Sequence, residues 1–140
     1  MSKARVLLAD DHRGAAEVLK SLITRDFELV ALVEDGVALI EAAGKFQPDV
    51  IVADISMPRL DGLSALAELK KQNPHAKVIF ITMFAEPEVA RWALNAGAHG
   101  FDTKHSAGSE LVPAILSVLA GGTFVSASLA SILGLKSQQE

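Results

Sequence analysis

Apolar residues fall into short unbroken runs, separated by longer stretches in which they recur every third or fourth position. The runs ARVLLA (4–9), ELVALV (28–33), DVIVA (49–53), KVIFIT (77–82) and HGFDT (99–103) are mostly aliphatic and predict five strands. Helical spacing lies between them over Gly14–Arg25, Gly36–Lys45, Leu60–Gln72 and Glu86–Ala96, and again from Ser109 to Ala120. Pro48, Pro74 and Pro87 stand at or beyond helix edges, where proline is tolerated. VIVA and VIFI are apolar at every position, as expected when helices cover both faces of a parallel sheet. The alternation therefore predicts an α/β domain, a (βα)5 doubly wound parallel sheet. After LAGG (119–122) the pattern weakens: TFVSASLASILG has room for a short strand-like piece and a small helix, and LKSQQE is a polar tail.

Composition narrows the function classes. The chain has 140 residues, half of them hydrophobic, enough for one well-cored domain but not two. With no cysteine there is no disulfide framework, thiolate metal site or cysteine nucleophile, which agrees with a reducing compartment. The four histidines lack metalloprotease spacing. A net charge of −4 has the wrong sign for neutralising a phosphate backbone, so no direct nucleic-acid binding is expected of this chain. Asp10 and Asp11 interrupt the first apolar run too early for a signal-peptide core, and no apolar stretch is long enough to span a bilayer. A cytoplasmic protein without membrane contact is the expectation.

In an open parallel sheet, ligands bind outside the carboxyl ends of the strands. The first strand ends in Asp10-Asp11, the third in Asp54, the fourth in Thr82 and the fifth runs into Lys104. A single aspartate there is more often a helix cap or loop acid, and a single threonine or lysine an ordinary strand or surface residue. Three acids at neighbouring strand ends are poorly explained that way. Crowded carboxylates repel, and a hard divalent cation with oxygen preference, Mg²⁺, is their natural neutraliser. Such a site keeps open positions for phosphoryl oxygens; Lys104 and Thr82 add a positive charge and a donor, and one carboxylate could act as the nucleophile.

These motifs together, LLADDH, DISMPRLDG, ITMF and GFDTK in that order, resemble the receiver domain of two-component response regulators over about Ala4–Ala120. The resemblance implies a flavodoxin-like sheet of strand order 2-1-3-4-5. It implies that Asp54 is the phosphoacceptor, that Asp10 and Asp11 hold Mg²⁺ together with Asp54 and the Ser56 backbone carbonyl, and that Thr82 is the switch hydroxyl. Lys104 would pair with the phosphate, and Phe101 would turn inward on phosphorylation. The implied donor is a sensor histidine kinase or phosphotransfer protein, and a homodimer is open to the family. The chain would then be a signalling switch rather than an enzyme, catalysing only its own phosphorylation and dephosphorylation. Residues 1–121 form the expected receiver, with 122–140 as a C-terminal extension or linker that has room for a short helix.

TMF, ALNAGAHGF and LAGGTFVS resemble the receivers that precede a LuxR-type helix-turn-helix, which implies transcription control through a DNA-binding domain absent from these 140 residues. A stand-alone phosphorelay regulator is the alternative. An aspartate-nucleophile phosphatase of the haloacid-dehalogenase kind fits less well, because its D-x-D usually lies on the first strand and no cap domain fits here. A flavin mononucleotide binder fits poorly with three acids at the phosphate end. Asp102 and His105 depart from the pattern: strand alternation puts Asp102 on the side of Lys104, where it would pair with the lysine or be drawn to water. Met57, Phe80, Met83 and Phe84 read as packing residues, and Trp92 as either half-buried packing or a contact surface.

Overall fold

The structure, a computed structural model, describes residues 3–83, 86–130 and 133. Strands and helices alternate as β1 (Arg5–Ala9), α1 (Arg13–Thr24), β2 (Glu28–Val33), α2 (Gly36–Phe46), β3 (Val50–Asp54), α3 (Gly62–Gln72), β4 (Val78–Thr82), α4 (Pro87–Asn95) and β5 (Gly100–Thr103). A 3₁₀ turn (Lys104–Ser106) leads into α5 (Ala107–Leu119), and β6 (Phe124–Val125) and α6 (Ala127–Ala130) follow. All strand pairings are parallel and the sheet order is β2-β1-β3-β4-β5-β6. The expected 2-1-3-4-5 order is present, and the strand-like piece after α5 adds a sixth strand at the β5 edge.

Alternate residues of each strand feed two cores, the consequence of the two-residue side-chain period. Leu7, Ile51, Phe80 and Phe101 face a layer that includes Leu39, Leu66 and Ala90 from α2, α3 and α4. Val6, Leu8, Val52, Ile79 and Ile81 face Leu19 and Ile23 of α1 and Leu111, Ile115 and Val118 of α5. β3 and β4 are buried at every position, as their unbroken apolar runs require, while the edge strand β2 is only partly covered.

The stretch after β3 is shaped by close backbone approach. At Gly62 a side-chain Cβ would lie 2.8 Å from both the Ile55 Cα and the Phe80 ring, and the Gly62 amide donates to the Ile55 carbonyl at 2.9 Å. Asp61 caps α3 by accepting from the Ser64 amide at 2.9 Å. The loop between Asp54 and α3 is therefore closed tightly onto the end of the strand.

Candidate functional site

Because β1, β3, β4 and β5 run parallel, their carboxyl ends lie along one edge, and the pairings Ala9↔Ala53, Asp54↔Ile81 and Thr82↔Thr103 put the candidate residues side by side. Asp10 and Asp54 are buried at the strand tips, and Lys104 reaches back from the turn after β5 with a side chain only 4% exposed. Its Nζ lies 2.8 Å from Asp54 Oδ2, 3.0 Å from Asp10 Oδ1 and 2.9 Å from Asp10 Oδ2. The last contact is out of line for a hydrogen bond, so Asp10 Oδ2 keeps an unbonded acceptor in a buried place. Burial alone would lower the Lys104 pKa, but the bonds and charges of Asp54 and Asp10 outweigh it and hold the ammonium above its ordinary value.

Asp54 Oδ1 accepts from the Ser56 amide at 2.9 Å, which fixes the carboxylate against the loop that follows it. Asp11 stands at the solvent side of the group. Thr82, at the end of β4, is largely buried. Phe101 is fully buried in the core under α2, α3 and α4.

His12 stands within this group although the sequence did not single it out. It occupies the N-cap position of α1, yet its side chain makes no capping bond. Instead Nδ1 turns to the acids, 3.1 Å from Asp10 Oδ1, 3.2 Å from Asp11 Oδ1 and 3.2 Å from Asp54 Oδ2. Ligand atoms of Asp10, Asp11, His12 and Asp54 all lie within 4.8 Å of one another. Three carboxylates meet one ammonium here, and one buried carboxylate oxygen lacks a hydrogen bond, a donor set that fits a divalent cation.

Asp102 is placed differently from either expectation. The chain leaves strand geometry at Lys104, so the lysine bends to the strand-end acids while Asp102 is fully buried and does not pair with it. Asp102 Oδ1 accepts from the Thr103 amide at 2.8 Å, and Oδ2 has no aligned hydrogen-bond partner among the described residues. Burial and the neighbouring Glu110 carboxyl push Asp102 up to about 8. For Glu110 burial works upward too, but Asp102, the Ala127 amide and the Ser126 hydroxyl prevail and hold it below the ordinary range. Glu110 Oε1 accepts from Ser126 Oγ at 2.8 Å and Oε2 from the Ala127 amide at 3.1 Å, tying α5 to the segment after β6.

Of the remaining residues, His105 is exposed beside Lys104. Met57 and Phe80 are buried as expected, but Met83 is 51% exposed because it lies past the last pairing of β4, beyond the cover of the core. Trp92 is 61% exposed on α4, so half-buried packing does not describe it. Phe84 lies outside the described residues. Among the described residues, no helix is long and apolar enough to cross a membrane.

The geometry has close counterparts. Residues 6–116 match the family model described as the response regulator receiver domain. The response regulator GacA of Pseudomonas viridiflava is 34% identical over 96% of this chain, which spans 64% of that protein. The chemotaxis protein CheY of Halobacterium salinarum is 33% identical over 82% of this chain and 96% of its own length. A crystal structure of a LuxR-family two-component response regulator from Aurantimonas sp. SI85-9A1 superposes with a TM-score of 0.90 at 32% identity, covering 95% of this chain and 96% of that one. With its matching sheet order and its aspartates and lysine gathered at the strand ends, the chain belongs to the response regulator receiver domain family.

Proposed function

We propose that the chain is a phosphorylation-driven switch in which Asp54 accepts a phosphoryl group from the phosphohistidine of a sensor histidine kinase or phosphotransfer protein. The observation that carries this reading is the Lys104 ammonium held 2.8 Å from Asp54 Oδ2 at a buried strand end. An Asp54 carboxylate oxygen forms the new bond to phosphorus as the phosphorus–nitrogen bond breaks and the imidazole leaves. Lys104 then pairs with a phosphoryl oxygen and the Thr82 hydroxyl is drawn toward another, a change that Phe101 transmits to the face around α4 and β5. Asp10, Asp11, Asp54 and the Ser56 carbonyl would hold Mg²⁺, whose chemistry is to neutralise charge on the phosphoryl oxygens. Water attack on the acyl phosphate resets the switch.

The output we infer is transcription control through a LuxR-type DNA-binding domain in a longer protein, because the chain spans 64% of GacA and superposes on a LuxR-family regulator. Residues 1–121 are the phosphoacceptor unit, and 122–140 a segment whose first part docks on it through β6. A stand-alone regulator is the second reading, favoured by the similarity to nearly the full length of a CheY protein.

Intact-protein mass after incubation with acetyl phosphate tests the chemistry. One Mg²⁺-dependent phosphoryl adduct is expected on the wild type and none on Asp54→Asn. An adduct that persists in Asp54→Asn overturns the assignment. Turnover of a small phosphate ester far beyond one equivalent would favour a phosphatase instead.

A further inference from the structure

We propose that His12 is a direct ligand of the cation site, so that this receiver discriminates in favour of first-row transition ions, Mn²⁺ among them, over Mg²⁺. The inference deepens the cation site of the proposed switch and rests on that reading.

Three features of His12 support it. The residue stands where a side chain ordinarily caps a helix, and it leaves that work undone. Its Nδ1 is 3.1 to 3.2 Å from one oxygen each of Asp10, Asp11 and Asp54, the spacing of neighbouring donors around a single small ion whose ligands stand about 2.1 Å from it. The fourth neighbour of Nδ1 is the Lys104 ammonium at 3.1 Å, a cation that already occupies part of the space between these donors. An ion seated among the carboxylates therefore meets a nitrogen without any change in the backbone. Independently of His12, the buried Asp10 Oδ2 at the same place has no aligned hydrogen bond, although the Lys104 ammonium lies 2.9 Å from it.

The chemical consequence follows from ligand preference. Mg²⁺ takes oxygen donors and water and gains little from imidazole, whereas first-row transition ions gain from it in increasing order from Mn²⁺ onward. An all-oxygen site separates these ions weakly; one with His12 separates them more. Asp10, Asp11 and Asp54 keep the site open to Mg²⁺ at high concentration, so the imidazole sets selectivity rather than the capacity to bind.

The test uses the unphosphorylated chain. Mn²⁺ and Mg²⁺ affinities are measured by calorimetry for wild type, His12→Gln and Asp54→Asn, and Mn²⁺-loaded samples are examined by pulsed electron paramagnetic resonance for nitrogen coupling. The expected result is a nitrogen coupling in the wild type that is absent in His12→Gln. The ratio of Mn²⁺ to Mg²⁺ affinity should fall on the order of tenfold in that variant. Asp54→Asn should weaken both ions together. Mg²⁺ binding with an unchanged ratio and no nitrogen coupling overturns the role of His12 and leaves the cation site standing. Failure of the wild type to bind either ion overturns both the role and the site.

Discussion

Among the described residues, two groups of acids built around buried carboxylates are neutralised in opposite ways. At the strand ends Asp10 and Asp54 share the Lys104 ammonium, and Asp11 and His12 leave one side open to water. Beneath α5, Asp102 and Glu110 have no paired cation among the described residues, and the charge is relieved by a proton that Asp102 retains up to about pH 8. Asp10, Asp54 and Asp102 are alike in burial; what differs is the partner and the access of solvent. A counter-charge keeps a carboxylate ionised and able to act as nucleophile or ligand, whereas a proton makes it a neutral structural group.

Removing the counter-charge should have the largest effect. Lys104→Met leaves Asp10 and Asp54 buried without a cation, and we expect a loss of about 2–4 kcal/mol in divalent-free buffer, somewhat below a fully buried pair because water reaches this edge. Added Mg²⁺ should recover part of it. Denaturant unfolding with and without the ion measures both, and equal stability of variant and wild type would show that the lysine is not what neutralises the acids.

Removing the need for a proton should have the next largest effect, with the opposite sign. The folded pKa of Asp102 is raised above its ordinary 3.8, so the native state holds a proton that the unfolded state has released between there and about 8. Wild-type stability should thus fall as pH rises through that window and level off above it. Asp102→Asn is neutral throughout and should remove this slope, gaining roughly 1–3 kcal/mol at pH 8, less than the full linkage because local relaxation and water offset part of the burial cost. A slope that persists unchanged in the variant would mean that Asp102 is not the titrating group.

Glu110 should show the smallest effect. Its folded pKa lies below its ordinary 4.5, so it contributes stability above that value which is lost as pH falls through the folded pKa. Glu110→Ala removes the acceptors of Ser126 Oγ and the Ala127 amide. We expect a cost of about 1–2 kcal/mol, with hydrogen exchange accelerated at Ser126–Ala130. Exchange that stays unchanged there would show that this acid does not hold the segment after β6.

Much of the fold was legible because burial on both faces leaves a direct mark: β3 and β4 are apolar at every position and every position is buried. The strand-end aspartates and Lys104 were legible because parallel strands carry their carboxyl ends to a common edge whatever the helices do. Asp102 was misplaced because alternation counted through Lys104, but the strand stops at Thr103 and the lysine belongs to a turn. His12 gave no signal, since a polar residue at a helix start says nothing about which way its ring turns. Met83 looked like packing, yet it stands one residue past the end of β4.

The sequence by itself determined the class of fold and which acids stand at the strand tips, because hydrophobic period is a local property that survives any packing; the strand order followed only from the family resemblance that its motifs carry. Tertiary structure alone decided the partners. Lys104 reaches Asp10 across 94 positions and Asp54 across 50, and Glu110 finds Asp102 only once α5 lies against β5 and β6. Whether a buried carboxyl is charged depends on what other parts of the chain bring to it, and those distances exist only in the folded molecule.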